Sequence, residues 1–585
     1  MSTVASSTSA TATSIPHQRK SVHASGRHWV CFTNGRYVVI YSSTDGSTWS
    51  KALDAEPASS PSGRRFSVFL EDGTNKLHQC FNSESSFDFI KYRQMTLNSD
   101  GSITYDLTQT AIPAFQDEDG RDGVTLGSPE WYLRSATLIS PDVRCAYWSM
   151  GSVYDYTTRV GLGTAGAGLK FVFTPYTTVV LPFGLLLPTL IQNKGWMYGD
   201  FTVPVAKKLW FLDGRIVASV MLRNPTTVAH SGNLYARLWI ASQSDLSDAT
   251  ALTAWTSTLV TFDGTLNQIV IATINLDVAA PVGNAFILEG KYLYVEFLWD
   301  IVTNPGNGIV QMEATYYSQI SPPIQILYFP NIAVDSAGYP WIGFMRYNGI
   351  GYYPYIAKGN ANNGTWTFRL GSYRKLSTTT GLLAWRVTPI PLTVGKLRVM
   401  YHRTAEVLSD LWDGSSWTTQ NPPAITLATA DGLSGINEGD NTLIGVLEAT
   451  TFNIKVIKHT YGVGWDAAYT TLQSSTTSTS TPILSWEATG IFKVFWAGSP
   501  TAEHIYYKTV INMVPSTDPA DWIDESPPIG QDLTGNDRIT GFYKAYGNCI
   551  GLLYMTKTAS PYNIRYKFIP LGVRMVGNGL TWAVS

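Results

Sequence analysis

Arg36, Arg346, Tyr347, Tyr352, His402, Arg403 and Trp496 are side chains of the kinds that hold a sugar. An aromatic face stacks on the apolar side of a pyranose, and a guanidinium forks two hydrogen bonds to hydroxyls or a carboxylate. They fall in or beside short loops between strand-like runs, in company with Glu71, Asp72, Lys76, Glu406, Glu503, His504 and Tyr562. Any one of them alone reads as a solvated loop residue; together they are expected to line a ligand-binding rim. No catalytic residue is assigned. Glycoside hydrolysis needs two carboxylates about 5 to 10 Å apart, and 43 acidic residues offer many pairs without singling one out.

Other chemistries have less behind them. The histidines form no His-x-His or His-Glu-x-x-His group, the four cysteines no Cys-x-x-Cys, and Gly-x-Ser-x-Gly is absent. Zinc, redox and serine-hydrolase chemistry are therefore unsupported. Asp117, Asp119 and Asp122 flank glycines as calcium ligands would, but the third Asp comes one place late for an EF-hand. No cofactor is expected, with calcium at that turn the one open case. Cys31 and Cys549 lie near opposite chain ends; isolated buried thiols are the expectation, with a closing disulfide the alternative.

The elements that must position these residues are short strands closed by turns. Ser43-Thr44-Asp45-Gly46-Ser47-Thr48-Trp49 is the clearest: the carboxylate bonds the backbone two residues on, Gly supplies positive φ, and the Trp packs back onto the sheet. Turn-plus-aromatic units recur at Phe87, Trp366, Trp417, Trp465, Trp522 and Trp582, each after paired strand-like runs. Their spacing matches the roughly 40–50-residue repeat of a propeller blade. The motif resembles the Asp-box of sialidase-type (BNR) β-propellers, one residue shorter than the usual form. That resemblance implies an all-β, six- to eight-bladed propeller, with seven blades expected. It also implies that Ser43, Asp45, Gly46, Trp49, Gly364, Trp366, Asp413, Gly414 and Trp417 serve the turns, on the rim away from any ligand. A sialidase would further need an arginine triad, a Tyr–Glu pair, an Asp acid/base and an Arg-Ile-Pro motif; no Arg-Ile-Pro occurs.

Residues 155–322 break the repeat with strand-like runs of their own and little helical period, which predicts an inserted β-sandwich or jelly roll. It resembles carbohydrate-binding-type modules of phage structural proteins. The expected layout is a Ser/Thr-rich arm at 1–21 without fixed structure, first blades at 22–154, the insert, and remaining blades at 323–585.

Composition narrows the partners. Charged residues make up 14% and aromatics 13%, so the surface is covered by Ser, Thr, Asn and Tyr, which suits glycan contact outside the cell or on a virion. A net charge of -2 gives no basic face for nucleic acid. Thr177 to Ile191, the most apolar stretch, is cut by Pro182 and Pro188 and is too short to span a bilayer, and Met1 to Ser14 lacks a secretory pattern. The expected function is a non-enzymatic virion or surface protein that binds a host glycan, a receptor or other virion proteins, with homo-oligomerisation open. The alternatives are a sialidase-like glycoside hydrolase and a purely protein-binding scaffold.

Overall fold

Runs such as Trp29-Val30-Cys31-Phe32 and Leu443-Ile444-Gly445-Val446 are rich in apolar, β-branched and aromatic residues, have no 3.6-residue period, and are bounded on one side by Asn-Gly or Gly-Asp-Asn; they form strands. The computed structural model describes residues 2–57, 65–82, 90–112, 116–117, 131–132, 136–138, 145–149, 171–174, 196–199, 209–210, 213–224, 226–242, 250–280, 282–283, 292–303, 310–313, 319–321, 326–362, 364, 366, 373–381, 385–501, 504–515, 521–522, 538–546, 549–556, 558–571, 575–577 and 582–584. Among them every regular element is a strand. The chain is an all-β propeller with an insert.

Seven antiparallel meanders of at least four strands are present among the described residues. Their innermost strands are Ser21–Ala24, Phe66–Leu70, Ile326–Val334, Arg386–Pro391, Leu433–Glu438, Ile483–Ala488 and Ile539–Gly541, here called the first strands of blades I to VII. Each touches the next, and that of VII touches that of I, so they form a ring. Each is buried over most of its length, because both of its faces meet neighbouring blades.

Closure is made by the chain's own start. Blade VII takes its second and third strands from Cys549–Thr556 and Tyr562–Pro570 and its fourth from Ser2–Ser7, in register from Ser2 opposite Tyr566 to Ser7 opposite Tyr562. Residues 9–20 then run inward and fill the central channel, with Ala12, Ile15, Gln18 and Lys20 fully buried. Arg19 is the rivet. Its guanidinium donates to Leu484 O at 2.8 Å and to Ser434 Oγ at 3.3 Å, with the carbonyls of Gly435, Gly541 and Phe542 at 3.5 Å. The inner strands of blades V to VII aim carbonyls at the axis, and a cation answers them. The arm expected to lack structure is therefore a strand and a channel plug. Cys31, Cys80 and Cys549 are free thiols, so strand pairing closes the ring without a Cys31–Cys549 bridge.

The turns fall as the resemblance implies, between third and fourth strands. Asp45 accepts from Ser47 N, Thr48 N and Ser43 Oγ at 2.8 Å each, with Gly46 at φ 66°; those bonds, led by Ser47, hold its carboxyl far below the ordinary range. Asp413 repeats this with Ser415 N and Ser416 N at 2.8 Å. Three turn aromatics clamp their blades to the preceding ones: Trp49 stands edge-on to Tyr566 of VII at 5.0 Å and bonds Ser2 Oγ, Trp366 of III meets Tyr92 of II at 5.8 Å, and Trp417 of IV meets Trp341 of III at 5.8 Å. A Cβ on Gly364, at φ 82°, would run into the Tyr92 ring, so only Gly allows that approach. Blade II shifts the expected phase. Its turn between third and fourth strands is Asn98–Ser102, where Asp100 accepts from Ser102 N at 2.8 Å, whereas Phe87, where a box is expected, lies outside the described residues, between the strands Lys76–Asn82 and Ile90–Leu97. Trp582 lies in a separate hairpin, Met575–Gly577 with Trp582–Val584.

The insert begins earlier than 155. Cys145–Ser149 pairs with Tyr292–Thr303, Ala136–Leu138 with Val310–Glu313, and Trp131–Tyr132 with Gln319–Ser321. Residues assigned to the first blades by sequence thus belong to the insert's two main sheets, built around Gly214–Arg223 and His230–Ala241. In Ile269–Val278 burial alternates, Ala272, Ile274, Leu276 and Val278 facing in, as in a one-sided sheet.

Candidate functional site

The insert leaves blade II after its fourth strand and returns to the first strand of blade III, so it springs from the same rim as the turns between second and third strands. On that rim blade III carries an aromatic ladder. Its second and third strands, Pro340–Tyr347 and Tyr352–Lys358, end in the facing pair Tyr347 and Tyr352, rings 4.8 Å apart. Asn348 Oδ1 shapes the turn between them by accepting Ile350 N and Gly351 N at 3.0 Å. Tyr352 continues to Tyr328 at 6.2 Å, and Tyr328 to Phe329 at 5.8 Å.

Phe329 is aimed by a break in its strand. Pairing with the second strand skips from Tyr328 to Asn331, and Phe329 takes φ 53°, costly for a bulky side chain (about 1–3 kcal/mol). Arg386 lies over its ring at 3.5 Å. Arg65 lies near enough to Tyr328 for the two to act on each other, and burial lowers the Arg65 pKa to about 10. Both arginines precede or open a first strand, of blades II and IV, so they border the channel mouth. All four ladder aromatics are half-buried. A planar face with Arg65 at its inner end can stack a sugar ring and take a hydroxyl or carboxylate, while Arg386, buried and paired with Asp431, supports Phe329 from behind.

The sequence candidates divide. Tyr347 and Tyr352 meet in the ladder. Arg403 stands close: its Nη1 donates to Thr380 O at 3.4 Å, and the same segment gives Gly381 N to Tyr352 O. Arg403 is also paired with Glu406 at 2.7 Å. Arg36 is exposed on blade I, over Tyr37, with no contact to the ladder among the described residues. Trp496 is buried core, its Nε1 bonded to Ser499 O at 2.9 Å, and His402 is fully buried; neither can face a ligand. Glu71, Asp72 and Lys76 lie on the opposite face, in or beside the turn between first and second strands of blade II. Glu503, Asp119 and Asp122 lie outside the described residues, as does the side chain of Asp117; among the described residues no group of three His, Cys, Asp or Glu could hold a metal.

Arg346 is spent on the insert. Its Nη1 donates to Asp213 Oδ1 at 2.6 Å and its Nη2 to Asp213 O at 2.6 Å, while Tyr355 and Lys375 bond the same carboxylate. Burial pushes the Asp213 carboxyl up, but Arg346 and Lys375 outweigh it and hold the group ionised. Two residues on, Arg215 N donates to Asn348 O at 2.8 Å, and its Cβ would stand 2.8 Å from a Cβ on Gly349. The insert is thus seated beside Tyr347.

Behind the mouth His402 meets His17 of the plug, ring centres 6.0 Å apart, beside the buried Arg386–Asp431 pair at 2.5 Å. Burial, then Arg386, lowers the His402 pKa from 6.5 to about 3, against the pull of Asp431; burial, then His402, lowers that of His17, with Arg386 and Lys20 acting in the same sense. The unfolded chain therefore binds more protons than the folded one between those values, and stability falls as pH drops from about 6.5 toward 3. Melting temperature measured from pH 7 to 4.5 should decline, and His402→Leu should flatten that decline above the carboxylate range.

The missed members, Tyr328, Phe329, Arg65 and Asp213, had faint signals. Pro330 inside a strand-like run marks a bulge, and Asp213-Gly214 is a turn pair at a strand start.

No family model matches the chain, and no curated protein matches it. Among solved structures it is similar to the polysaccharide lyase Uly1 (9% identity, 95% of this chain and 90% of that one, TM-score 0.39). It is similar also to the intramolecular trans-sialidase from Ruminococcus gnavus (10%, 97% and 96%, TM-score 0.32) and to the NanB sialidase from Streptococcus pneumoniae (11%, 97% and 70%, TM-score 0.32). Likeness this loose transfers no residue's role.

Proposed function

We propose that this chain binds a glycan on the rim of blade III. The observation that carries the reading is the ladder Tyr347–Tyr352–Tyr328–Phe329, part-exposed, held at an energetic cost at Phe329, bordered by Arg65 and Arg403 and backed by the buried Arg386. Stacked aromatics provide the affinity, Arg65 and Arg403 select hydroxyl or carboxylate geometry, and the insert walls one end.

The test is a glycan array followed by calorimetry on the best ligand. Each aromatic contact contributes about 0.5–1.5 kcal/mol, so Tyr352→Ala with Tyr328→Ala should weaken binding about tenfold; both rings also pack on the core around Met345 and Trp385, so the melting temperature should fall as well and affinity is compared at a temperature where the variant is folded. A silent array, or undiminished binding by the double variant, would overturn the proposal. Hydrolysis is the second reading, favoured by Glu406, the part-exposed carboxylate bonded to Arg403 beside the ladder. Release of sugar from a 4-nitrophenyl sialoside, lost in Glu406→Gln, would establish it.

A further inference from the structure

The channel has a second mouth, on the face of the Asp-box turns, which glycan binding on the rim leaves unused. There the turns between first and second strands of blades II to VII surround a cavity of about 330 Å³. Phe69, Trp486 and Tyr543 line it, Phe69 and Tyr543 edge-to-face at 5.3 Å. Backbone pairing puts them there: the blade VII segment after Gly541 crosses to blade VI, where Trp486 N donates to Tyr543 O at 3.2 Å and Ala545 N to Trp486 O at 2.7 Å.

The charge of this mouth is negative. Among the described residues its lining sets Glu71, Asp72 and the buried Asp335 against one cation, Lys544, which Asp72 engages. Asp335 is bonded by Ala337 N and Tyr339 N at 3.0 Å and by Trp341 Nε1 at 2.9 Å, all neutral donors. Glu71 is met by His78 at 3.2 Å, a ring that burial keeps below its ordinary pKa. The free oxygen of Glu71 points at the Asp335 turn, 3.4 Å from where a Cβ on Gly338 would stand. Two carboxylates thus share one aromatic-walled cavity; Lys76 acts on Glu71 and Lys358 lies over the Tyr339 and Trp341 rings of the Asp335 turn, but neither lysine lines the cavity. The channel already shows what its walls accept, since the Arg19 guanidinium lies over the Tyr543 ring at 5.4 Å.

We propose that this mouth is a second binding site, for an organic cation whose guanidinium or ammonium head sits between Glu71 and the Asp335 turn and whose body packs on Phe69, Trp486 and Tyr543. Aromatic faces attract weakly hydrated cations, and nearby carboxylates add Coulombic pull in a cavity partly closed to water. The head can belong to a free small molecule or to an Arg or Lys side chain of a peptide.

The experiment titrates methylguanidinium and acetyl-Gly-Arg-Gly-amide into the intact chain, read by calorimetry and tryptophan fluorescence. Saturable binding of at least one is expected, weakened at least tenfold by Glu71→Gln and by Trp486→Leu and unchanged by Tyr352→Ala. Peptide binding tenfold tighter than methylguanidinium assigns a peptide side chain, and comparable affinities assign a free cation. Absence of saturable binding, or binding that Glu71→Gln and Trp486→Leu leave unchanged while their melting temperatures match the parent, overturns the site.

Discussion

A chain beginning at residue 21 is expected to lose the cooperative fold. The deletion removes the outer strand of blade VII, whose Val4 is part of the core shared with Phe32 and Tyr566, and the Ser2 hydroxyl that bonds Trp49 Nε1. It also empties the channel, leaving the carbonyls of Leu484, Gly435, Gly541 and Phe542 without Arg19. A buried acceptor left unsatisfied costs about 1–3 kcal/mol, and total stability is only about 5–15 kcal/mol. Arg19→Met, which keeps most of the volume and none of the donors, should cost several kcal/mol by the same reasoning. Circular dichroism and thermal melts check both. A truncated chain that melts like the parent would show that the arm is an ornament on a ring closed some other way.

Asp213→Ala is expected to cost about 3–5 kcal/mol, the usual result of removing one partner from a buried ion pair. The remaining Arg346 and Lys375 would be like charges at close range, with Tyr355 also left without its acceptor. Lys375 lies against the Tyr353 ring at 3.8 Å and cannot simply swing to solvent. The loss should appear in calorimetry as a lower transition. Because Arg215 is two residues away and bonds the Tyr347–Tyr352 turn, glycan affinity should fall with it. Asp213→Asn keeps the shape and some hydrogen bonds, so it should lie between the two. An Asp213→Ala chain as stable as the parent would mean that the pair is incidental to seating the insert.

What could be read from the sequence was what local chemistry decides. Asp45-Gly46 and Asp413-Gly414 are turns because side chain and backbone settle them within four residues, and their aromatics follow. Phase is harder to read where the Trp is missing: the Asp100 turn has none, so the sequence pattern points to Phe87 instead. Long-range closure left little trace. Ser2–Ser7 reads as a polar tail because it buries itself against a strand more than 550 residues away, and a Ser/Thr run carries no sign of that partner. Arg346, His402 and Trp496 looked like rim residues because loop position was visible and depth was not. Arg346 was hidden by Asp213, which lies 133 residues earlier. The ladder was half legible, as Tyr347 and Tyr352 flank one hairpin turn, whereas Phe329 depends on a bulge and Arg386 on the next blade.

The claim that the blade III rim is where this protein meets a glycan is tested most directly by amide hydrogen exchange with and without the glycan selected on the array. Protection should concentrate at 326–331, at the Tyr347–Tyr352 turn and at 377–381, with little change in the turns at 71–75 and 335–339. Protection confined to those far-side turns, or to the insert away from residues 213–215, would contradict it.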